Sequence, residues 1–337
     1  MLGGVLVAGV LCLSGAAPAA ADVVIGDAHT GERLAAVSGE FADIQWEPEA
    51  QRLLALRSSG APGVIGVVPG HAPETLESLS PWLSRPVLSP DGLAIAGLGE
   101  EGANGVPGAV IRERGGHVRV AGFASAYADL GAPTWTPDGQ RVAILGTGDS
   151  PRAGGIVIAD ALTGQVVSNV SPRGGALGAT GAFSPSGAQL AYSPPPVRRR
   201  HPLPQIRLRM GVNVLDVSTG RVRALGGTRR GRWFFGAAWT PDGRAIATGD
   251  SRRRLTRITL ASGHVQVLRK LRARPQSMTY APDGRSLAFG IGSREIGVLA
   301  DGRLRTIATL SREEALSALE WSPDGNRLGL ITAKTGA

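Results

Sequence analysis

Apolar and polar residues alternate along this chain in short runs that glycine, proline and aspartate interrupt. The run VNVLDVSTGRVRAL at 212–225 alternates on both sides of a Ser-Thr-Gly turn. Such alternation is typical of half-buried β-strands, and the turn between them makes the pair a β-hairpin. The chain has 49 glycines and 23 prolines in 337 residues and no long helical heptad, so the pattern predicts an all-β protein.

An aromatic-x-Pro-Asp-Gly pattern divides the chain into repeats. Its successive prolines are 42, 47, 48, 56, 41 and 41 residues apart, about the length of one four-stranded propeller blade. Asp-Gly supplies a tight hairpin turn, and five of the seven copies keep Pro-Asp-Gly intact. The copies begin at Trp46, Leu88, Trp135, Phe183, Trp239, Tyr280 and Trp321.

Each copy is followed by a second hairpin, such as LTRITLASGHVQVL at 255–268, which brings the strands of a repeat to four. The last copy supplies only two strands, while VVIGDAHTGERLAAV at 23–37 supplies a hairpin with no partner. We therefore predict a seven-bladed β-propeller of four-stranded antiparallel blades. Its N-terminal strands pair with the C-terminal strands, which closes the ring and removes exposed sheet edges.

These aromatic-Ser/Thr-Pro-Asp-Gly repeats, each followed by an LAF-like strand, resemble the TolB-type, WD-like β-propeller repeat. The resemblance covers essentially residues 22–337 and implies a propeller. Propellers of this type serve as periplasmic protein-binding platforms, as gating domains of serine peptidases or as lyase scaffolds. TolB carries an extra α/β domain before its propeller, whereas residues 1–21 leave no room for one, so we expect a propeller-only relative.

The sequence does not predict catalysis or a cofactor. It lacks the G-x-S-x-G turn of propeller-associated peptidases. The segment GLGEEG at 97–102 matches the dinucleotide fingerprint, but no helix is predicted after it and its two glutamates would repel a pyrophosphate. His29, His117 and His264 adjoin turns of different blades, which does not favour a metal site. We predict a non-enzyme; the alternative is a lyase or hydrolase with a site in the central channel.

Two residue types recur once per blade, and we interpret both as structural. The aspartates of the tight turns are expected to cap local backbone groups rather than to bind calcium. The tryptophans are expected to pack between adjacent sheets rather than to stack on a ligand. These residues are Asp91, Asp138, Asp242, Asp283 and Asp324, and Trp46, Trp135, Trp239 and Trp321.

Residues 1–21 read as a secretory signal peptide, with an apolar stretch followed by small residues and cleavage near Ala21. Retention as a membrane anchor is the alternative. Cys12, the only cysteine, lies in this segment, so the mature domain at 22–337 would have neither disulfide nor thiol chemistry. We therefore expect a secreted or extracytoplasmic monomer without an integral membrane span.

Charge is distributed unevenly along the chain. Residues 1–168 hold 9 Lys/Arg and 17 Asp/Glu, whereas residues 169–337 hold 27 and 10. The basic residues cluster in connections that are predicted to lie at one end of the ring. Acidic residues of other blades are predicted at the same end and include Glu40, Glu74 and Glu313. The candidate partner-binding residues are Arg198, Arg199, Arg200, Arg207, Arg209, Arg229, Arg230, Arg232, Trp233, Arg252, Arg253, Arg254, Lys270, Arg272 and Arg274.

Such a surface would steer a charged partner into one orientation. We expect that partner to be a protein or an anionic cell-envelope polymer. A nucleic acid is disfavoured because the chain has only 15 aromatic residues, most of them assigned to the core, and carries an export signal. The predicted function is thus that of a TolB-like, non-catalytic scaffold outside the cytoplasm.

Overall fold

The computed structural model describes residues 21–48, 51–58, 62–78, 83–100, 107–113, 118–122, 129–147, 155–171, 181–192, 211–226 and 234–334. Within these ranges all regular structure is β-strand, which confirms the predicted fold class. No helix in this part of the chain is long and apolar enough to cross a membrane.

The strands form seven antiparallel sheets, the blades, whose strands are here called A to D in order from the centre. Strand A of blade 3 is split into two short pieces. Blade 1 contains β3 (Phe41–Trp46), β4 (Leu53–Arg57), β5 (Gly63–Val67) and β6 (Glu74–Ser78); blade 2 contains β7 (Ser84–Leu88), β8 (Ala94–Glu100), β9 (Pro107–Glu113) and β10 (Val118–Gly122); blade 3 contains β11 (Asp129–Leu130), β12 (Thr134–Trp135), β13 (Arg141–Thr147), β14 (Gly155–Asp160) and β15 (Val166–Val170).

Blades 4 to 6 repeat this order, and the A strands of consecutive blades contact one another, for example β20 with β24, so they surround the axis. Blade 4 contains β16 (Gly181–Phe183), β17 (Gln189–Tyr192), β18 (Val212–Asp216) and β19 (Val222–Leu225); blade 5 contains β20 (Phe234–Trp239), β21 (Ala245–Asp250), β22 (Arg254–Thr259) and β23 (Val265–Lys270); blade 6 contains β24 (Pro275–Tyr280), β25 (Ser286–Ile291), β26 (Glu295–Ala300) and β27 (Arg303–Thr309).

Blade 7 joins the two ends of the chain, as predicted. Its strands A and B are β28 (Glu314–Trp321) and β29 (Arg327–Lys334), and its strands C and D are β1 (Ala21–Asp27) and β2 (Arg33–Val37). β1 pairs antiparallel with β29 over its whole length, from Ala21 opposite Ala333 to Asp27 opposite Arg327. Closure thus rests on a full strand pair.

The Pro-Asp-Gly turns have the structure that their composition predicts. In blade 3, Oδ1 of Asp138 accepts the Thr136 hydroxyl (2.5 Å) and the backbone N–H of Gln140 (3.0 Å). Gly139 has a φ of 68°, in the left-handed region that favours glycine. The other four turn aspartates also accept backbone N–H groups of their own turns, so the capping role is confirmed.

The four repeated tryptophans are buried between blades, which confirms their core assignment. Each indole N–H donates to a backbone carbonyl of strand A in the preceding blade, so each tryptophan both fills the core and joins two blades. The acceptors are Glu320 for Trp46 (3.4 Å), Val87 for Trp135 (3.4 Å), Ala182 for Trp239 (2.8 Å) and Thr279 for Trp321 (3.1 Å).

Each blade has two distinct ends. At the turn end, where the A–B and C–D turns lie, Leu260 N–H donates to the Arg244 carbonyl (2.9 Å). At the loop end, where the B–C loops and the D–A connections lie, Leu271 N–H donates to the Arg253 carbonyl (2.8 Å). A charged residue in a turn or loop can therefore be placed at the turn end or the loop end from the backbone contacts of its segment.

Candidate functional site

The structure describes six of the fifteen candidate partner-binding residues. They are Arg252, Arg253, Arg254, Lys270, Arg272 and Arg274, and all belong to loop-end segments of blade 5 or of its connection to blade 6. Outside the described residues lie Arg198, Arg199, Arg200, Arg207, Arg209, Arg229, Arg230, Arg232 and Trp233.

The B–C loop of blade 5 is anchored by Asp250, whose side chain is 0% exposed. Its Oδ1 accepts the backbone N–H groups of Arg252 (2.9 Å) and Arg254 (3.0 Å), and its Oδ2 accepts Nε of Arg254 (2.7 Å). Arg254 is therefore a structural ion-pair partner of a buried acid, whereas Arg252 and Arg253 are exposed. The pattern RRR alone did not distinguish these positions.

The connection from blade 5 to blade 6 lies against this loop. Besides accepting Leu271 N–H, Arg253 donates from its guanidinium to the Arg272 carbonyl (3.2 Å). Arg253 has a φ of 60°, unusual for a residue other than glycine. Arg272 is 69% exposed and forms an ion pair with Glu295. The two segments thus form one hydrogen-bonded unit.

Further backbone hydrogen bonds extend this unit across blade 6. The Arg274 carbonyl accepts Gly292 N–H (2.9 Å), and the Arg294 carbonyl accepts Leu310 N–H (2.7 Å). We call residues 250–254, 269–275, 292–295 and 310–314 the rim. Exposed Arg294 and Arg312 belong to it, although they are not among the binding residues predicted from the sequence. The repeat pattern could have identified them, because Arg294 follows strand B as Arg252 does, and Arg312 follows strand D as Arg272 does.

The acidic residues predicted at the loop end divide between the two ends. Glu40 is at the loop end, where its carbonyl accepts Ser58 N–H (2.8 Å). Glu314 is there too, and hydrogen bonds from Ser311 lower the pKa of its carboxyl. The prediction for Glu74 is wrong. Glu74 begins strand D and pairs with Arg52 of an A–B turn (3.3 Å), so it lies at the turn end.

A second charged group lies on the A strands near the axis, at the junctions of blade 7 with blade 1 and of blade 1 with blade 2. Oδ2 of Asp43 accepts Leu88 N–H (2.8 Å), and Oε1 of Glu320 accepts Nε2 of Gln45 (3.0 Å). Glu320 also accepts the backbone N–H of Trp46. Each acid therefore bonds to strand A of the next blade. Strand A is the inner edge of its sheet, so some of its backbone groups are not paired within the sheet.

Both acids are buried, with Asp43 8% and Glu320 3% exposed. Burial raises the pKa of Asp43 to about 7. Burial, with repulsion from Asp43, raises the pKa of Glu320 well above its ordinary value. Within the part of the chain that the structure describes, Oε2 of Glu320 has no hydrogen-bond partner. We call Asp43, Gln45 and Glu320 the inner acid group.

Residues equivalent to Asp43 in other blades also form contacts between blades. At the equivalent position of blade 2, the Arg85 guanidinium donates to the Leu130 carbonyl of blade 3. In blade 6, the Ser277 hydroxyl donates to the Ser317 carbonyl of blade 7 (3.2 Å). The register of each of these A strands shifts here, and the sequence pattern did not predict this bulge.

Neither charged group forms a metal centre in the part of the chain that the structure describes, where no three His, Cys, Asp or Glu side chains cluster suitably. The inner acid group has two carboxyls, and both are bonded to main-chain or amide groups. The rim has cations on exposed loops. The first arrangement holds blades together, and the second can attract an anion.

Comparison with known proteins supports the fold. No family model matches the chain, and no curated protein matches it by sequence. Among solved structures, it is similar to that of a protein assigned as TolB from Agrobacterium tumefaciens, with a TM-score of 0.52 and 15% sequence identity. The match covers 95% of this chain and 100% of the other. The chain therefore has a TolB-like, seven-bladed β-propeller fold.

Proposed function

We propose that this protein is a non-catalytic binding platform that acts outside the cytoplasm and engages an anionic partner through the rim. The observation that carries the proposal is the hydrogen-bonded series of rim segments. It holds exposed Arg252, Lys270, Arg274 and Arg294 on the loop end of two adjacent blades. Loops fixed in this way lose little entropy when a partner binds.

Two further observations favour this function over a channel enzyme. The buried carboxyls of Asp43 and Glu320 are engaged by the backbone of neighbouring blades, as expected of structural groups. The apolar segment at residues 1–21 favours export, and TolB-type repeats are used as periplasmic platforms. The partner would be a protein or an anionic envelope polymer.

The proposal is tested by recovering partners from cell-envelope fractions with the wild type and with the variant Arg252→Ser/Arg274→Ser/Arg294→Ser. The matched control is Arg221→Ser/Arg244→Ser/Arg285→Ser, which removes the same charge from exposed turn-end positions. We expect the rim variant to lose the partner and the control to retain it. Identical partners for all three proteins would contradict the proposal.

A further inference from the structure

The rim lacks exposed large apolar side chains. Among the described residues, the exposed large hydrophobics are Leu93, Leu162, Val166, Val167, Val222 and Val267, and none of them belongs to the rim. Leu271, at its centre, is 7% exposed. Protein interfaces depend on a few buried aromatic or aliphatic anchors surrounded by polar groups. The described rim provides only the polar groups.

The rim's cations are spread over successive segments instead of converging on one point. They follow a backbone-linked path from Arg252 through Arg274 to Arg294 and Arg312. The rim also contains acids: Asp250 pairs with Arg254, Glu295 pairs with Arg272, and Glu313 and Glu314 follow Arg312 in the chain. One ion pair at an exposed position contributes only about 0–1 kcal/mol. A small anion would therefore gain little here.

An extended anion with many charges would gain from several such contacts at once. Each neutralised charge releases a counterion, and contacts along one chain add through effective concentration. Guanidinium forks match the paired oxygens of phosphate, and arginine supplies almost every cation of the rim. On the basis of the proposed function, we infer that the rim binds a linear cell-envelope polymer, not a nucleic acid, that carries a phosphate group in each repeat unit.

The experiment uses the purified protein and polyphosphates of graded length, with inorganic phosphate as the single-phosphate end of the series. Binding is measured by fluorescence anisotropy over a range of salt concentrations. We expect affinity to rise steeply with chain length until the polymer spans the rim. We expect Arg252→Ser/Arg274→Ser/Arg294→Ser to weaken the longest chains roughly tenfold and to lower the salt slope by about three.

The turn-end control Arg221→Ser/Arg244→Ser/Arg285→Ser should bind like the wild type. If it loses as much affinity as the rim variant, net charge alone explains the binding and the inference fails. Equal affinity for inorganic phosphate and for the longest chain would also overturn it, as would tighter binding to polyglutamate of the same charge. In those cases a rim-dependent partner in envelope fractions would still support the proposed function.

Discussion

The inner acid group and the rim show two uses of charge on the same blade architecture. At the inner acid group, two carboxyls are buried and bond to the next blade's A strand. At the rim, exposed arginines lie on the loops and exposed Lys270 ends strand D of blade 5, while the buried carboxylate of Asp250 bonds to the backbone of Arg252 and Arg254. Because burial makes a charge costly unless it is paired, the buried acids are held by hydrogen bonds to neighbouring segments, whereas most rim cations stay exposed to solvent.

The largest effect is expected for Asp250→Ala, which tests whether the rim depends on the buried acid beneath it. The change leaves two backbone N–H groups and the partly buried Arg254 guanidinium without their acceptor. Removal of one partner from such a pair is strongly destabilising. We expect the free energy of unfolding to fall by about 3 kcal/mol, measured by urea titration.

Asp250→Asn is the matched control, because its amide oxygen can still accept backbone N–H groups while the charge is lost. An intermediate loss of stability would separate the capping contribution from the ion pair. If Asp250→Ala unfolds at the same urea concentration as the wild type, other contacts hold the loop. The buried acid would then not be required for the structure of the rim.

The second prediction concerns pH and the inner acid group. The pKa of Asp43 is about 7 in the folded protein, above its ordinary value of 3.8. Between these values the folded protein keeps a proton that the unfolded chain releases, so stability falls as pH rises through this range. We expect a loss of about 2–3 kcal/mol between about pH 5 and 8, measured by urea titration at each pH.

Asp43→Asn should flatten most of this dependence, because burial of its own carboxyl raises the pKa. Glu320→Gln should flatten part of it, because Glu320 also keeps its proton well above its ordinary pKa. The diagnostic quantity is the slope of stability against pH, since the substitutions also change local hydrogen bonds. A slope that is unchanged in both variants would show that neither acid is held protonated in the folded protein.

The sequence predicted those features that repeat in every blade. Trp239 and Asp138 occur at fixed positions of the pattern, so their burial and capping followed from periodicity alone. Asp250 and Glu320 do not repeat. Asp250 bonds to the backbone of its own loop, and Glu320 bonds to Gln45, which is far from it in the chain. The misplaced Glu74 was assigned to a connection, whereas it begins strand D.

The same limit applied to the arginines. A run of three arginines at 252–254 predicts three equivalent exposed charges, but an acid two residues earlier binds one of them. Arg294 and Arg312 were missed because each stands alone in sequence. In the structure, hydrogen bonds between loops place them beside the clustered residues. Clustering in sequence is therefore an incomplete guide to clustering on the surface.

The smallest effect is expected for the ion pair of Arg272 and Glu295, which lies on the same rim as Asp250. Arg272 is 69% exposed and Glu295 is 21% exposed, so solvent screens most of their attraction. A double-mutant cycle with Arg272→Ser and Glu295→Gln should give a coupling energy of about 0.5 kcal/mol in urea titrations. A coupling energy as large as the stability loss expected for Asp250→Ala would show that exposure to solvent does not weaken the ion pairs of this rim.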